Sequence, residues 1–257
     1  MKKINILVIG NSFGEDATHY LHQIAKADGI DTKIVNLYIG GCPLKTHWDN
    51  ALSKEAAYVY QINGIVTEDF ISLDEALREE EWDYIVTQQA SHDSGIEDTY
   101  EPYLTNLYQY VKEQVPNAEF LLQETWSYEI DSEHSEFPRY NKNQKEMYER
   151  LKACYEKAAN DIGVRLIPCG DIIQHMRKKE PFIYENGGLS LCRDGFHMHF
   201  IYGRYLLAAT WYEFIFKKNI LENTYIPSTQ MAPELTADLE ILQIIKEEIH
   251  KYLIQNS

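Results

Sequence analysis

Positive charge is scarce in this chain. Its 257 residues carry 24 Lys and Arg against 40 Asp and Glu, a formal net charge of -16. That excess repels phosphate backbones and anionic headgroups, and no basic cluster offsets it locally, so nucleic acid and membrane surfaces are not expected partners. Cysteine is scarce too. Cys42, Cys154, Cys169 and Cys192 show no C-x-x-C spacing and are too few for a disulfide framework, which fits a reducing compartment and makes the cytoplasm the expected location. No apolar run approaches the roughly 20 residues of a membrane span. The run at 4–9 after Lys2 and Lys3 is too short for a secretory core and passes into a turn without a cleavage site, so no signal peptide is expected. There is no internal repeat and no low-complexity linker, and the dinucleotide fingerprint fails because Ser12 stands where its second glycine is needed.

What is present is enough apolar material for a sizeable core, 44% hydrophobic and 12% aromatic, and a single domain over 1–257 is the simplest reading. Short apolar runs alternate with helix-length periodic segments. A strand at 4–9 is followed by Ala17, Leu21, Ile24 and Ala25 at helical spacing, and a strand at 33–39 ends at Gly40-Gly41. Asn63-Gly64 between two β-rich runs predicts a small hairpin excursion near 57–67, and Ser72-Leu73-Asp74-Glu75 reads as a capping box. Further strands are expected at 83–87, 119–122 and 164–167, separated by helical faces that include Leu104, Leu107, Val111 and then Leu151, Tyr155, Ala158. Residues 126–143 lack a period and read as a surface insertion, while 234–254 read as a C-terminal helix. Largely apolar strands alternating with helices predict a three-layer α/β/α sandwich around a parallel five-stranded sheet.

Parallel sheets gather function at the carboxyl ends of their strands. Ser12, Gly40-Gly41, Gln88-Gln89 and Glu124-Thr125-Trp126 each follow a strand and therefore share one rim. Asp194-Gly195-Phe196-His197 precedes an apolar helix beginning near Phe200 and can be delivered to that rim from a loop. A serine, an imidazole and a carboxylate are the minimum set for an activated hydroxyl nucleophile. His199 competes with His197 for the role of base, and Cys192, Asp194, His197 and His199 admit a metal-ligand reading, although their spacing is not a usual zinc pattern. Gly10-Asn11-Ser12-Phe13-Gly14 also matches the G-x-S-x-G elbow of α/β-hydrolases, but that elbow follows earlier strands, and none precedes this one.

The order of blocks resembles the SGNH hydrolase superfamily, the GDSL esterases and lipases: Gly10-Asn11-Ser12, Gly41, Gln88-Gln89 and Asp194-Gly195-Phe196-His197, over roughly 4–216. Asn11 replaces the usual aspartate before the serine, and a glutamine stands for the third-block asparagine. These variants, with G-N-S, G-G-C and Q-Q-x-S, resemble an SGNH-like branch apart from the lipases. The resemblance implies Ser12 as nucleophile, His197 as general base and acid, and Asp194 as the carboxylate that orients the imidazole. It implies an oxyanion hole from the Ser12 and Gly41 N–H groups and the amide of Gln88 or Gln89, with no metal or organic cofactor. Asn11, His92 and Trp126 are expected to contact substrate, with Tyr128 a further rim candidate. The implied activity is hydrolysis of short-chain carboxylic esters, small molecules such as O-acetylated carbohydrate. An acyltransferase with the same triad and a non-catalytic carbohydrate-binding protein are the alternatives.

Overall fold

The computed structural model describes residues 2–256. Seven strands form one sheet: β1 (Ile4–Gly10), β2 (Thr32–Tyr38), β3 (Tyr58–Ile62), β4 (Ile65–Ile71), β5 (Tyr84–Thr87), β6 (Glu119–Gln123) and β7 (Arg165–Ile167), in the order β4-β3-β2-β1-β5-β6-β7. The five expected strands are present as the run β2-β1-β5-β6-β7, paired in parallel throughout. Ile6, Leu7, Val8 and Ile9 of β1 are all fully buried, which is why this strand reads as a continuous apolar run rather than an alternation.

The hairpin is more than an excursion. β3 pairs antiparallel with β2, from Val35 opposite Ile62 to Tyr38 opposite Val59, so the hairpin extends the sheet to seven strands and runs on to Ile71. Asn63 and Gly64 both adopt positive φ, 52° and 81°, the pattern of a two-residue hairpin turn whose twist matches its strands.

Nine helices among the described residues flank the sheet: α1 (Ser12–Thr18), α2 (Leu21–Ala27), α3 (Leu44–Ser53), α4 (Leu73–Glu79), α5 (Tyr103–Gln114), α6 (Gln144–Ile162), α7 (Cys169–Met176), α8 (Tyr202–Phe216) and α9 (Leu239–Gln255). Helix α3 packs on α4 and α5, α5 on α4 and α6, and α6 in turn reaches α7, which packs with α8 and α9. Helix α8 packs against α1, α2, α7 and α9, and this enclosure accounts for its nearly unbroken apolar sequence. The C-terminal helix starts at Leu239, later than its periodicity suggested, where Asp238 caps it by accepting from the Glu240 and Ile241 N–H groups. No helix among the described residues is long and apolar enough to cross a membrane.

Residues 126–143 form the expected irregular segment but bury their aromatics. Apart from a short 3-10 turn at Phe137–Tyr140 they are irregular, yet Trp126, Tyr128, Phe137 and Tyr140 are completely buried. The segment keeps an exposed side, at Ile130, Asp131, Glu133 and Asn141 among others, and adds aromatic core on the other, which a period-based reading cannot see because irregular backbone imposes no period.

Ser72 accepts from the Glu75 N–H at 3.2 Å while Glu75 Oε2 accepts from the Ser72 N–H at 3.0 Å, the reciprocal box expected at the start of α4. Replacing Ser72 by Ala removes one half of that exchange. Urea unfolding should register a loss of about 1 kcal/mol.

Candidate active site

Ser12 is the first residue of α1, immediately beyond the end of β1. Asn11 forms the N-cap, accepting from the Phe13 N–H at 3.0 Å. The serine is half-buried, and its Oγ lies 3.0 Å from His197 Nε2. His197 Nδ1 lies 2.7 Å from Asp194 Oδ2, so hydroxyl, imidazole and carboxylate form one hydrogen-bonded chain. Asp194 Oδ1 also accepts from the Phe196 and His197 N–H groups at 3.2 and 2.7 Å. Partial burial raises the Asp194 pKa, but these hydrogen bonds, from the His197 ring first, outweigh it and hold the carboxyl below its ordinary value.

The loop carrying Asp194 and His197 is closed at its base by the antiparallel bridge between Cys192 and Met198. At its tip Gly195 has φ of +86°, and a Cβ there would stand 2.9 Å from the Ser132 Cα, so both conformation and space call for glycine. Three separate groups hold the main chain of the loop. Glu129 N–H donates to Gly195 O at 2.7 Å, Trp126 Nε1 donates to Phe196 O at 2.7 Å, and Met198 N–H donates to Asp16 Oδ2 at 2.8 Å. Asp16 is four residues after Ser12 on α1 and fully buried; its Oδ1 accepts from Arg193 Nη1 at 3.0 Å and from the equally buried Arg204 Nε at 2.7 Å. Arg193 also donates to Met198 O. The helix that begins with Ser12 and the loop that carries His197 are thus joined through one carboxylate.

The N–H groups of Ser12 and Gly41 donate to no other group among the described residues. For Ser12 this follows from its place in the first turn of a helix. Gly41 lies in the turn after β2 with φ of +62°. Asn11 Nδ2 donates to Cys42 O at 3.1 Å and ties this turn to the start of α1. An aspartate at position 11 could not make this donation, which gives the asparagine a physical reason.

Neither glutamine supplies the expected third donor. Gln89 is spent on the scaffold: its Oε1 accepts from the Leu44 and Ala90 N–H groups, and its Nε2 donates to the carbonyl and hydroxyl of Thr99. Gln88 is fully buried with its Nε2 3.3 Å from Asn11 Oδ1, between the backbones of Gly10 and Gly14. Asn11 is itself buried with both side-chain heteroatoms engaged, so it links elements rather than meeting substrate. Trp126 is likewise no rim residue. It stacks on Phe13 at 3.9 Å between centroids, almost parallel, directly behind the triad. Tyr128 is buried with its hydroxyl 2.9 Å from Ser91 Oγ. His92 does stand at the rim, partly exposed, its ring stacked 6.4 Å from that of His134. His199 Nδ1 caps α8 by accepting from the Ile201 and Tyr202 N–H groups, which occupies it away from Ser12. Cys192, Asp194, His197 and His199 do not converge, and no cluster of three or more His, Cys, Asp or Glu suited to a metal occurs among the described residues.

Asp16, Arg193, Arg204 and His134 were not singled out from the sequence. The signal for two of them was there: Asp16 falls between Phe13, Ala17 and Tyr20, and Arg204 is the lone charge in the first two turns of an apolar helix. A charge on an apolar face implies a buried partner.

A serine after the first strand of a parallel sheet, with Asp194 and His197 on a loop before the last core helix, defines the SGNH hydrolase-like fold. The chain belongs to the family described as a domain of unknown function, DUF4886, whose model matches residues 5–237. A crystal structure of a DUF4886 family protein from Bacteroides uniformis is similar with a TM-score of 0.89 and 35% identity, covering 99% of this chain and 96% of that one. A proposed SGNH hydrolase from Slackia heliotrinireducens is similar at a TM-score of 0.55 and 21% identity, over 82% of this chain and 98% of that one. The acetylxylan esterase Axe2 from Geobacillus stearothermophilus, solved as a catalytic mutant, is similar at 0.50 and 12%, over 88% and 97%. Comparison with curated proteins gave no match.

Replacing Asp16 by Asn should lower stability by about 3 kcal/mol, because the fully buried Arg204 loses its buried partner and keeps only the more exposed Glu15. Thermal or urea unfolding measures this. At the rim, Glu124 is completely buried, its Oε2 accepting from the Asp171 N–H at 2.8 Å and its Oε1 unpartnered among the described residues. Burial, then the neighbouring Asp171 carboxylate, pushes its pKa up to about 8. The folded protein therefore holds a proton that the unfolded chain releases near the ordinary carboxyl value, and this group's contribution to stability declines as pH rises from about 5 to 8. Glu124→Gln should flatten that part of the stability profile; an unchanged slope would contradict the assignment.

Proposed function

We propose that this protein is a serine esterase hydrolysing short-chain carboxylic esters, O-acetyl groups on carbohydrate among them. The observation that carries the reading is the continuous chain Ser12 Oγ, His197 Nε2 at 3.0 Å, His197 Nδ1, Asp194 Oδ2 at 2.7 Å. In this mechanism His197 takes the Ser12 proton as Oγ attacks the ester carbonyl. The imidazolium, steadied by Asp194, returns the proton to the leaving alcohol as the tetrahedral intermediate collapses to an acyl-enzyme. Water, deprotonated by His197, then attacks the acyl carbon and frees the carboxylic acid and Ser12.

The developing oxyanion lies against the Ser12 and Gly41 N–H groups. Two backbone donors suffice for such a hole, and each is worth on the order of 3 kcal/mol in the transition state. Gln88 and Asn11 hold these donors in place instead of supplying a third. The short acyl group is supported by the structural likeness to an acetylxylan esterase and by a site that lies open at the surface, where the Asp194 side chain is 41% exposed.

Hydrolysis of p-nitrophenyl acetate against longer acyl chains tests the proposal. Wild type should prefer acetate, and Ser12→Ala and His197→Ala should each lose activity by roughly 10⁴-fold or more. Turnover that survives Ser12→Ala would refute the triad.

A further inference from the structure

We infer that His134 and Phe196, with His92 and Ser91 beside them, form a leaving-group subsite built for a hydroxylated ring such as a sugar. The inference rests on the esterase reading and specifies which half of the ester is recognised.

The argument begins with direction. The oxyanion donors come from α1 and the turn after β2, whereas His197 must hand its proton to the departing alcohol. The alcohol oxygen therefore lies against the imidazole, and the rest of the alcohol runs over whatever flanks that ring on the side away from Gly41. Phe13 flanks it too but is buried. The partly exposed neighbour is Phe196, its centroid 4.2 Å from the His197 ring. His134 meets Phe196 edge-on at 4.7 Å, and His92 stacks beyond it. One wall of the site is thus aromatic and continuous from the triad outward.

The polar groups on that wall are oriented, and one of them is unspent. His134 Nδ1 accepts from the Glu136 N–H at 3.1 Å, which places the ring proton on Nε2. That Nε2–H has no partner among the described residues. Burial, and then the nearby His92, lower the His134 pKa, so the ring stays neutral with a single fixed donor. Ser91 Oγ is partly exposed and positioned by the buried Tyr128 hydroxyl at 2.9 Å. An aromatic face with a fixed N–H and a hydroxyl alongside matches a ring with an apolar face and equatorial hydroxyls. It offers a simple alkyl alcohol no use for its polar groups.

The test compares two acetate esters that share an acyl group and differ in the alcohol: p-nitrophenyl acetate and monoacetylated methyl xylosides. For His134→Ala the ratio of kcat/KM, xyloside to aryl ester, should fall about tenfold. His134→Gln, whose amide nitrogen reaches a similar position, should restore part of it. Phe196→Ala should lower the same ratio. Ser12-dependent turnover of p-nitrophenyl acetate by each variant shows that it is folded. If Ser12-dependent aryl ester hydrolysis is present but the ratio is unchanged, or wild type does not turn over the xylosides, the subsite is wrong and the esterase reading stands. If no turnover depends on Ser12, the esterase reading fails and the subsite fails with it.

Discussion

The arrangement at the rim depends on one buried carboxylate. Asp16 belongs to the helix that begins with Ser12, yet all its hydrogen bonds reach the segment that carries His197 or the helix that follows it: the Met198 N–H, Arg193 and Arg204. Two elements more than 180 residues apart in sequence are fixed by a charge-assisted network whose central carboxylate and Arg204 are fully buried while Arg193 is partly exposed. Removing one partner strands the others, so the network is stable only when complete. This is a reason for an acidic protein to hold two arginines against one aspartate here. The local excess of positive charge is met by Glu15, which accepts from Arg204 Nη2 at 3.2 Å and from Gln61 Nε2 at 3.0 Å.

A second junction governs the donors. Asn11 caps α1 through its oxygen and grips the turn after β2 through its nitrogen, so the two backbone amides left free by helix geometry and by a turn are set in fixed relation. In the proposed mechanism, an oxyanion hole made of these backbone groups would have no side-chain torsions to order, which favours preorganisation. The glutamines after β5 are then released from chemistry. Gln89 satisfies four groups of the surrounding loops, and Gln88 fills the space beneath two glycines, where a side chain on either would collide with it.

The elements of this fold that could be read in advance are those whose information is local. The parallel strands follow from apolar runs, the turn at Asn63-Gly64 from its dipeptide, and the α4 cap from four residues. Ser12 was legible for a different reason, because parallel strands bring their carboxyl ends together on one rim, whereas Asp194 and His197 follow no strand and were paired with it by the order of blocks that the chain shares with SGNH hydrolases. The assignments to Gln88, Gln89, Asn11 and Trp126 went astray because proximity to the rim does not say which way a side chain points, and each turns inward to a partner that sequence cannot reveal. The hairpin's pairing with β2 was hidden likewise, since a turn signal fixes the hairpin and not the edge it joins.

The loop around His197 shows how positioning and recognition are kept apart. Its backbone is held at Gly195 by Glu129, at Phe196 by Trp126 and at Met198 by Asp16, and every one of these bonds is to main chain. Asp194 completes the set by binding the loop's own amides with one oxygen and the imidazole with the other. The Phe196 side chain takes no part in any of these bonds. Its ring packs on those of His197, His134 and Tyr128 instead, so in the proposed mechanism it is the side chain placed to meet the alcohol half of an ester while the peptide beneath it stays fixed.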